Sequence, residues 1–369
     1  MSFQSSNGNS RENLWLPHSI AKGKPHLEPI RLPGDKLSKV TFLHEWNGLF
    51  CIYTSGSVSL RKNPNFSVVK EIHYLPSGFS VQFLDHRIVM ALSTGPTVVW
   101  NEQYKPLADG ISIPHSGGFA DVIGFFSQGS RYHIVNRMFG GGDQGFTSHI
   151  YTNTLEVKEG APEGEGIIKE STLEIDGLFY QSLLLKDKLI LTSDKGFHFA
   201  KLDGTLLRSF HPESPFIHAA VAPDDSRFGG FGNFKEQWSY LEFDPSGKLL
   251  FQSKLIGDSA DGYVVFDPQG FRTVSSSKRI LRLNGQGDLV WTKAVTQSAT
   301  APRHIILDDG GCAYLDGNTL MVLDPLGVER MSVPLGSHPF SSPPYLSEAG
   351  EFYLGLANED IDLLRVVFK

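Results

Sequence analysis

Only two cysteines, Cys51 and Cys312, occur among 369 residues. They stand far apart in apolar surroundings, "GLFCIYT" and "GGCAYL", so no disulfide framework and no cysteine metal knuckle can be read from them. Two buried thiols in a reducing compartment fit that usage. Also missing is any run of about 18 apolar residues, which excludes an ordinary membrane-spanning helix. The opening "MSFQSSNGNSRENLWLPHS" has no basic start followed by an apolar stretch, so no secretory signal is visible and a cytoplasmic location is expected. There is no basic excess either. The formal net charge is −7, which argues against nucleic acid, because a general binder needs a basic stripe to displace counterions from phosphates. A basic partner protein suits this balance better.

Helical periodicity is absent along the whole chain, while Pro and Gly punctuate at short intervals. What recurs instead is a unit of about forty residues. Four segments align on Gly204, Gly247, Gly287 and Gly327: "KLDGTLLRSF", "EFDPSGKLLFQSKL", "RLNGQGDLVWTKAV" and "VLDPLGVERMSVPL". Gly166 in "GEGIIKESTLEI" fits the same register one unit earlier. Each segment reads as a strand, a tight turn with Asp or Asn before Gly, and a second strand. Asp and Asn start turns through their side chains, and Gly tolerates positive φ. A second turn alternates with the first, in "FDPQGFRTV", "LDDGGCAYL" and "LSEAGEFYLGL", with Gly270, Gly310 and Gly350. Looser copies upstream bring the count to eight units of four strands, named A to D here, with the second turn joining A to B and the Asp/Asn-Gly turn joining C to D.

Short four-stranded units at this period predict an all-β fold, a β-propeller, whose radial packing protects sheet edges. The last unit, "YLSEAGEFYLGLANEDIDLLRVVFK", supplies only three strands, and "KPHLEPIRLP" at residues 24–33 can add the missing outer one. The expectation is eight blades closed by that N-terminal strand, in a single domain over residues 24–369 behind a flexible tail at 1–23. Seven blades is the alternative, if one degenerate early copy has been split in two.

The C-to-D segments, Gly287-x-x-x-Trp291 above all, resemble the repeats of the quinoprotein-like (PQQ-type) propeller superfamily over roughly the last 170 residues. Trp291 takes the position of that family's blade-docking tryptophan, while Arg208, Phe251 and Met331 stand there in other blades. The resemblance implies the scaffold. A quinone-dependent dehydrogenase activity would need an adjacent cysteine pair and a Ca²⁺ ligand set, and neither is recognisable, so no cofactor is expected.

"RMFGGGDQGF" at 137–146 contains Gly140-x-Gly142-x-x-Gly145. A dinucleotide loop must run from a strand into a helix whose free N–H groups hold the pyrophosphate, and here strand-like sequence stands on both sides. No Lys-Ser/Thr follows the last glycine, which also removes the P-loop reading. The stretch is expected to be a B-to-C loop of about ten residues, where "TSGS" (54–57), "SSSK" (275–278) and "LDGN" (315–318) are short. Arg137, Phe139, Asp143, Gln144 and Phe146 would then face a partner. "TSDKGFHF" at 192–199 satisfies the Asp-box pattern of sialidase propellers once, at an expected hairpin, and reads as a turn. The acidic "EVKEGAPEGEG" carries Glu156, Glu159, Glu163 and Glu165 and reads as a solvated C-to-D turn, with a basic partner's docking patch as the alternative.

Among thirteen histidines, His133, His149 and His198 alternate with apolar residues on strands. His115, His211, His218, Arg303 and His338 fall in expected D-to-A connections, with Asp121, Asp258 and Asp261 in the same ring. Together these would form a polar funnel mouth. No short-spaced histidine pair fixes a metal there, and no nucleophile-base spacing appears. The leading reading is therefore a non-catalytic propeller that binds a protein, with Phe234 and Trp238 of "FGNFKEQWSY" as further anchors. One version is an immunity-type inhibitor that covers a toxic enzyme. The alternatives are a lyase or hydrolase using funnel histidines and carboxylates as acid and base, and a carbohydrate binder. The latter would need aromatic platforms in one register, which Trp100, Trp238 and Trp291 do not share.

Overall fold

A computed structural model describes residues 18–369 apart from 34–39, 55–56, 74–78, 85–86, 93–96, 102–105, 112–118, 129–130, 143–144, 158–165, 175–177, 211–214, 235–236, 254–261, 297–300, 339, 341 and 358–360. The described residues form eight four-stranded antiparallel sheets and no helix. Seven follow chain order: blade 1 over residues 40–73, blade 2 over 79–111, blade 3 over 119–174, blade 4 over 179–210, blade 5 over 216–253, blade 6 over 262–294 and blade 7 over 304–334. Blade 8 is composite, in the order Pro25–Ile30, Leu363–Phe368, Phe352–Gly355, Tyr345–Leu346. The N-terminal strand thus supplies the outer position, with Pro25 opposite Phe368 and Ile30 opposite Leu363. The chain packs as two compact units, one built on blades 2 to 5 and the other on blades 6, 7, 8 and 1.

The repeated turns share one mechanism. Asp244, Asn284 and Asp324 each accept two backbone N–H groups on their side-chain oxygen at 2.8 to 3.0 Å, from the second and fourth residues onward. The backbone closes beneath each, as in Gly247 N–H to the Asp244 carbonyl at 2.9 Å and Gly327 N–H to that of Asp324 at 2.9 Å. Gly204, Gly247, Gly287 and Gly327 have φ of 83, 84, 98 and 79°, and Gly270, Gly310 and Gly350 have 82, 84 and 78°. A side chain is unfavourable in that left-handed region, so glycine recurs at the forty-residue spacing for a backbone reason.

Blades in the second unit meet through those turns. The Trp291 indole on the outer strand of blade 6 donates from Nε1 to the Pro325 carbonyl at 3.1 Å and lies on Gly327 of blade 7, where a Cβ would fall 2.5 Å from Trp291 Cγ. In the first unit the ring against Gly247 of blade 5 is Phe210, two residues beyond the expected Arg208. The Arg208 guanidinium lies over the Phe210 ring at 4.4 Å. Residues i and i+2 of a strand share a face, so either can reach the neighbouring glycine and the bulkier ring takes it. Phe197, Phe199, Phe216, Phe228 and Phe243 fill the core between blades 4 and 5. In the second unit one core runs through blades 7, 8 and 1, from Ile305 and Leu320 through Leu354 and Leu364 to Phe50 and Ile52.

Blade 3 departs from the expectation at residues 137–146. Its B strand, Arg131–Gly142, and its C strand, Gly145–Val157, hold 12 and 13 residues, where the corresponding strands of blade 4 hold 6 each. Phe139 pairs with Ser148, Gly140 with Thr147, Gly141 with Phe146 and Gly142 with Gly145. The ten-residue loop is therefore a paired ribbon with a two-residue connection. Glycines weaken strands through entropy and lack of packing, but the ladder bonds belong to the backbone and are available to them.

Candidate binding surface

Within the first unit the paired B and C strands of blade 3 run past the described ends of their neighbours. The described part of its A strand ends at Phe119 opposite Phe139, and that of its D strand at Glu174 opposite His149. Among the described residues, three further pairs, Gly140 with Thr147 to Gly142 with Gly145, continue without a partner from either neighbouring strand. At about 3.4 Å per residue these extend roughly 10 Å. Arg137 and Phe139 lie on one strand of this ribbon and Phe146 on the other, while Asp143 and Gln144 lie outside the described residues. Blade 5 places Phe234 at the end of Phe228–Phe234 and half-buried Trp238 in Gln237–Phe243, opposite Asn233.

His218 sits in the strand Phe216–Val221 rather than in a connection, and it has φ 50° where the register shifts between Ile217 and Ala220. The Gln181 amide of blade 4 holds this bulge, donating from Nε2 to the Ala219 carbonyl at 3.0 Å and accepting the Ala219 N–H on Oε1 at 3.1 Å. Bulges re-aim side chains, and here the neighbouring blade fixes one. Asp121 is likewise in a strand, Phe119–Gln128. His115, His211, Asp258 and Asp261 lie outside the described residues, as do Glu159, Glu163 and Glu165.

In the second unit Arg303 stands in the connection ahead of the strand His304–Ile306, its Nε donating to Tyr263 Oη at 3.3 Å with the guanidinium 5.3 Å from that ring. Half-buried His338 follows Gly336, whose φ is 78°. Each of these two side chains sits in its own connection. Hydroxyls brace the B-to-C hairpins: Thr54 Oγ1 accepts the Ser57 N–H at 3.0 Å, and Ser276 Oγ accepts that of Arg279 at 3.2 Å. The Asp316 carboxylate accepts the Thr296 N–H at 3.1 Å and its hydroxyl at 2.9 Å.

Several buried groups imitate catalytic geometry. In blade 4, Ser193 Oγ and His198 Nε2 are 3.2 Å apart, and His198 Nδ1 and Ser209 Oγ 2.8 Å. A nucleophile must meet substrate, yet Ser193 and His198 are both 0 % exposed, and Ser193 also braces the hairpin through the Gly196 carbonyl. That chain is a structural staple, and the Asp-box stretch around it is a plain hairpin, Ser193 opposite Gly196. His304 is pushed down to about 4 by burial, so it is neutral near pH 7, and its Nε2 donates to the Thr273 carbonyl at 3.1 Å. Burial raises Cys51 and Cys312 well above the usual thiol range; the thiolate is the reactive form. No cluster of three or more His, Cys, Asp or Glu side chains arranged for a metal occurs among the described residues. A buried pair that sequence reading missed, Arg282 with Asp267 at 2.5 Å, is structural too, with the guanidinium 4.8 Å from the Phe271 ring. Its partners sit fifteen residues apart on a turn and a strand, a spacing that no local pattern reveals.

No protein-family model and no curated protein matches the chain. Solved structures do. BamB from Moraxella catarrhalis is 11 % identical with a TM-score of 0.57, over 92 % of this chain and 99 % of that one. Sqt1 of Saccharomyces cerevisiae is 11 % identical with a TM-score of 0.64, over 90 % and 97 %. The C-terminal WD40 domain of Sif2 is 14 % identical with a TM-score of 0.62, over 95 % and 99 %. The fold is a β-propeller. At these identities the likeness shows the fold alone, for fold does not fix function. No described helix is long and apolar enough to cross a membrane.

Proposed function

We propose that this propeller binds another protein, and that the projecting ribbon of blade 3 carries the contact. The ribbon is the observation that supports the reading most. Among the described residues, Gly140–Gly142 and Gly145–Thr147 pair with each other and with no strand on either side. Arg137, Phe139, Asp143, Gln144 and Phe146 are the proposed contacts, a guanidinium and two aromatic rings among them being of the kind that anchors interfaces. Phe234 and Trp238, with His115, His211 and His218, are proposed contacts in the same unit, and Arg303 and His338 in the other. The acidic balance, −7 overall, suits a basic partner, and an immunity-type inhibitor that covers a basic toxin or enzyme is the concrete form of this reading.

The test is affinity capture by the purified chain from cells that make it, with the captured protein then titrated directly. Replacing residues 140–147 with Asn-Gly shortens the ribbon and leaves the blade's four-stranded part intact, since that dipeptide suits a two-residue hairpin. Loss of at least tenfold in affinity is expected for this variant, and further loss with Trp238→Ala. Full affinity in the combined variant would overturn the proposed surface.

A further inference from the structure

The repeat provides its own control for one surface position. Around the turn glycine between C and D strands, blade 5 carries Ser246 and Lys248, blade 6 carries Gln286 and Asp288, and blade 4 has Thr205 after its glycine. Blade 7 carries Leu326 and Val328 instead, 72 % and 60 % exposed, the highest values among the exposed large apolar side chains described. This turn is rigid, because Asp324 Oδ1 accepts the N–H groups of both residues at 2.9 and 2.8 Å and Trp291 holds the Pro325 carbonyl. A fixed turn that exchanges polar for apolar residues at two solvent-facing positions has gained a hydrophobic surface without any folding need.

The N-terminal segment leads to that place. Lys24 exchanges backbone hydrogen bonds with Lys369, Ala21 N–H donates to the Gly350 carbonyl at 3.0 Å, and Ser19 Oγ donates to the Asp308 carboxylate at 2.5 Å. Ile20 packs against the core of blades 7, 8 and 1. In that order the chain passes from the outer strand of blade 8 to its A-to-B turn, and then to the A-to-B turn of blade 7. The segment is built in: a Cβ on Gly350 would lie 2.5 Å from both Ala21 N and Ser19 O, whereas one on the sister Gly270 meets nothing within 4 Å. The A-to-B turn of blade 7 also touches the apolar turn, since a Cβ on Gly310 would lie 4.0 Å from Pro325 Cβ. Upstream of Ser19 the sequence reads Leu14-Trp15-Leu16-Pro17, and five residues reach at most about 17 Å.

We propose that Leu14, Trp15 and Leu16 dock on the Leu326–Val328 turn, so that the N-terminal segment is a strap across the A-to-B turns of blades 8 and 7 that ends on the apolar turn of blade 7. Both native thiols are buried, so a Trp15→Cys, Leu326→Cys pair can be cross-linked by mild oxidation without interference. A disulfide needs Cα atoms about 5.5–6 Å apart. Closure is expected in most molecules, and a Trp15→Cys, Val69→Cys control is expected to stay open. The variant Leu326→Ser, Val328→Lys installs the blade 5 turn residues, which this fold already accommodates. It should stay folded by circular dichroism while chymotryptic cleavage at Trp15 accelerates several-fold. Equal cross-linking of the two pairs, or unchanged cleavage at Trp15 in the folded turn variant, would overturn the strap and leave the apolar turn to a separate partner. The ribbon of blade 3 plays no part in either measurement.

Discussion

Gly327→Ala and Gly270→Ala make a matched pair. Both glycines have φ near 80° (79 and 82°) and close a four-residue turn in the same unit, so each alanine bears the same left-handed backbone cost of roughly 1–2 kcal/mol. They differ in what the new methyl meets. At Gly270 there is nothing within 4 Å, and at Gly327 the Trp291 ring stands 2.5 Å from the methyl position at Cγ and 2.9 Å at Cδ2. A ring 7 % exposed and tied through Nε1 to Pro325 cannot swing aside cheaply, so overpacking adds about 1–3 kcal/mol. Trp291→Ala alone should cost about 3–5 kcal/mol as a large-to-small change. In the double variant the clash is gone, so its cost should fall short of the sum by about 1–3 kcal/mol. Urea unfolding followed by far-ultraviolet circular dichroism gives the comparison, read as midpoint changes at constant slope. If Gly327→Ala and Gly270→Ala agree within about 0.5 kcal/mol, or the double variant is additive to that margin, the tryptophan does not dock on this glycine as described.

Two further perturbations test the interior. His304 has its folded-state pKa depressed to about 4 from 6.5 by burial, so the fold favours the neutral ring: its contribution is complete above pH 6.5 and is lost as pH falls from there toward 4. At about 1.4 kcal/mol per pH unit the loss is at most about 3 kcal/mol. Chemical unfolding at pH 7 and pH 4.5 should show a smaller loss for His304→Gln, which keeps a donor near Thr273; identical losses in the two proteins would contradict this. Gln181→Leu removes both partners of the Ala219 peptide groups, and leaving two part-buried groups unpaired should cost about 2–4 kcal/mol. Amide hydrogen exchange at Ala219 should accelerate in that variant, and an unchanged rate would mean that the bulge does not depend on blade 4.

The legible parts of this fold are those where a backbone requirement selects a residue type. Gly247, Gly287 and Gly327 are glycine because of their φ, and Asp244, Asn284 and Asp324 each accept two N–H groups, so their spacing marks the blades in the sequence. The N-terminal strand was legible by arithmetic, because the last unit lacked a partner for Leu363–Phe368. Reading fails where identity is set by a neighbour far away in sequence. Phe210 replaces Arg208 at Gly247 because both lie on one strand face and the larger ring wins, which a search confined to one position past the turn cannot see. Asp267 reads as a turn residue and is one, yet its carboxylate also pairs with Arg282 in the interior, a partner fifteen residues away that the turn sequence does not reveal.

The stretch Arg137–Phe146 shows how a composition signal can suggest the wrong kind of structure. Three consecutive glycines suggested a flexible loop, and flexibility would tax any complex it formed, since each ordered residue costs roughly 1–2 kcal/mol of backbone entropy. In the fold Gly140, Gly141 and Gly142 are cross-strand partners of Thr147, Phe146 and Gly145, so most of that ordering is met on folding rather than on binding. Under the proposed binding role, a ribbon held in this way would offer Arg137, Phe139 and Phe146 on a backbone already in register. Preorganised contacts convert more of their burial into affinity. Disruption of the ladder should therefore weaken binding even with those three side chains intact. A Thr147→Pro variant removes a backbone donor from the projecting part alone and separates the ladder's contribution from that of the side chains it carries.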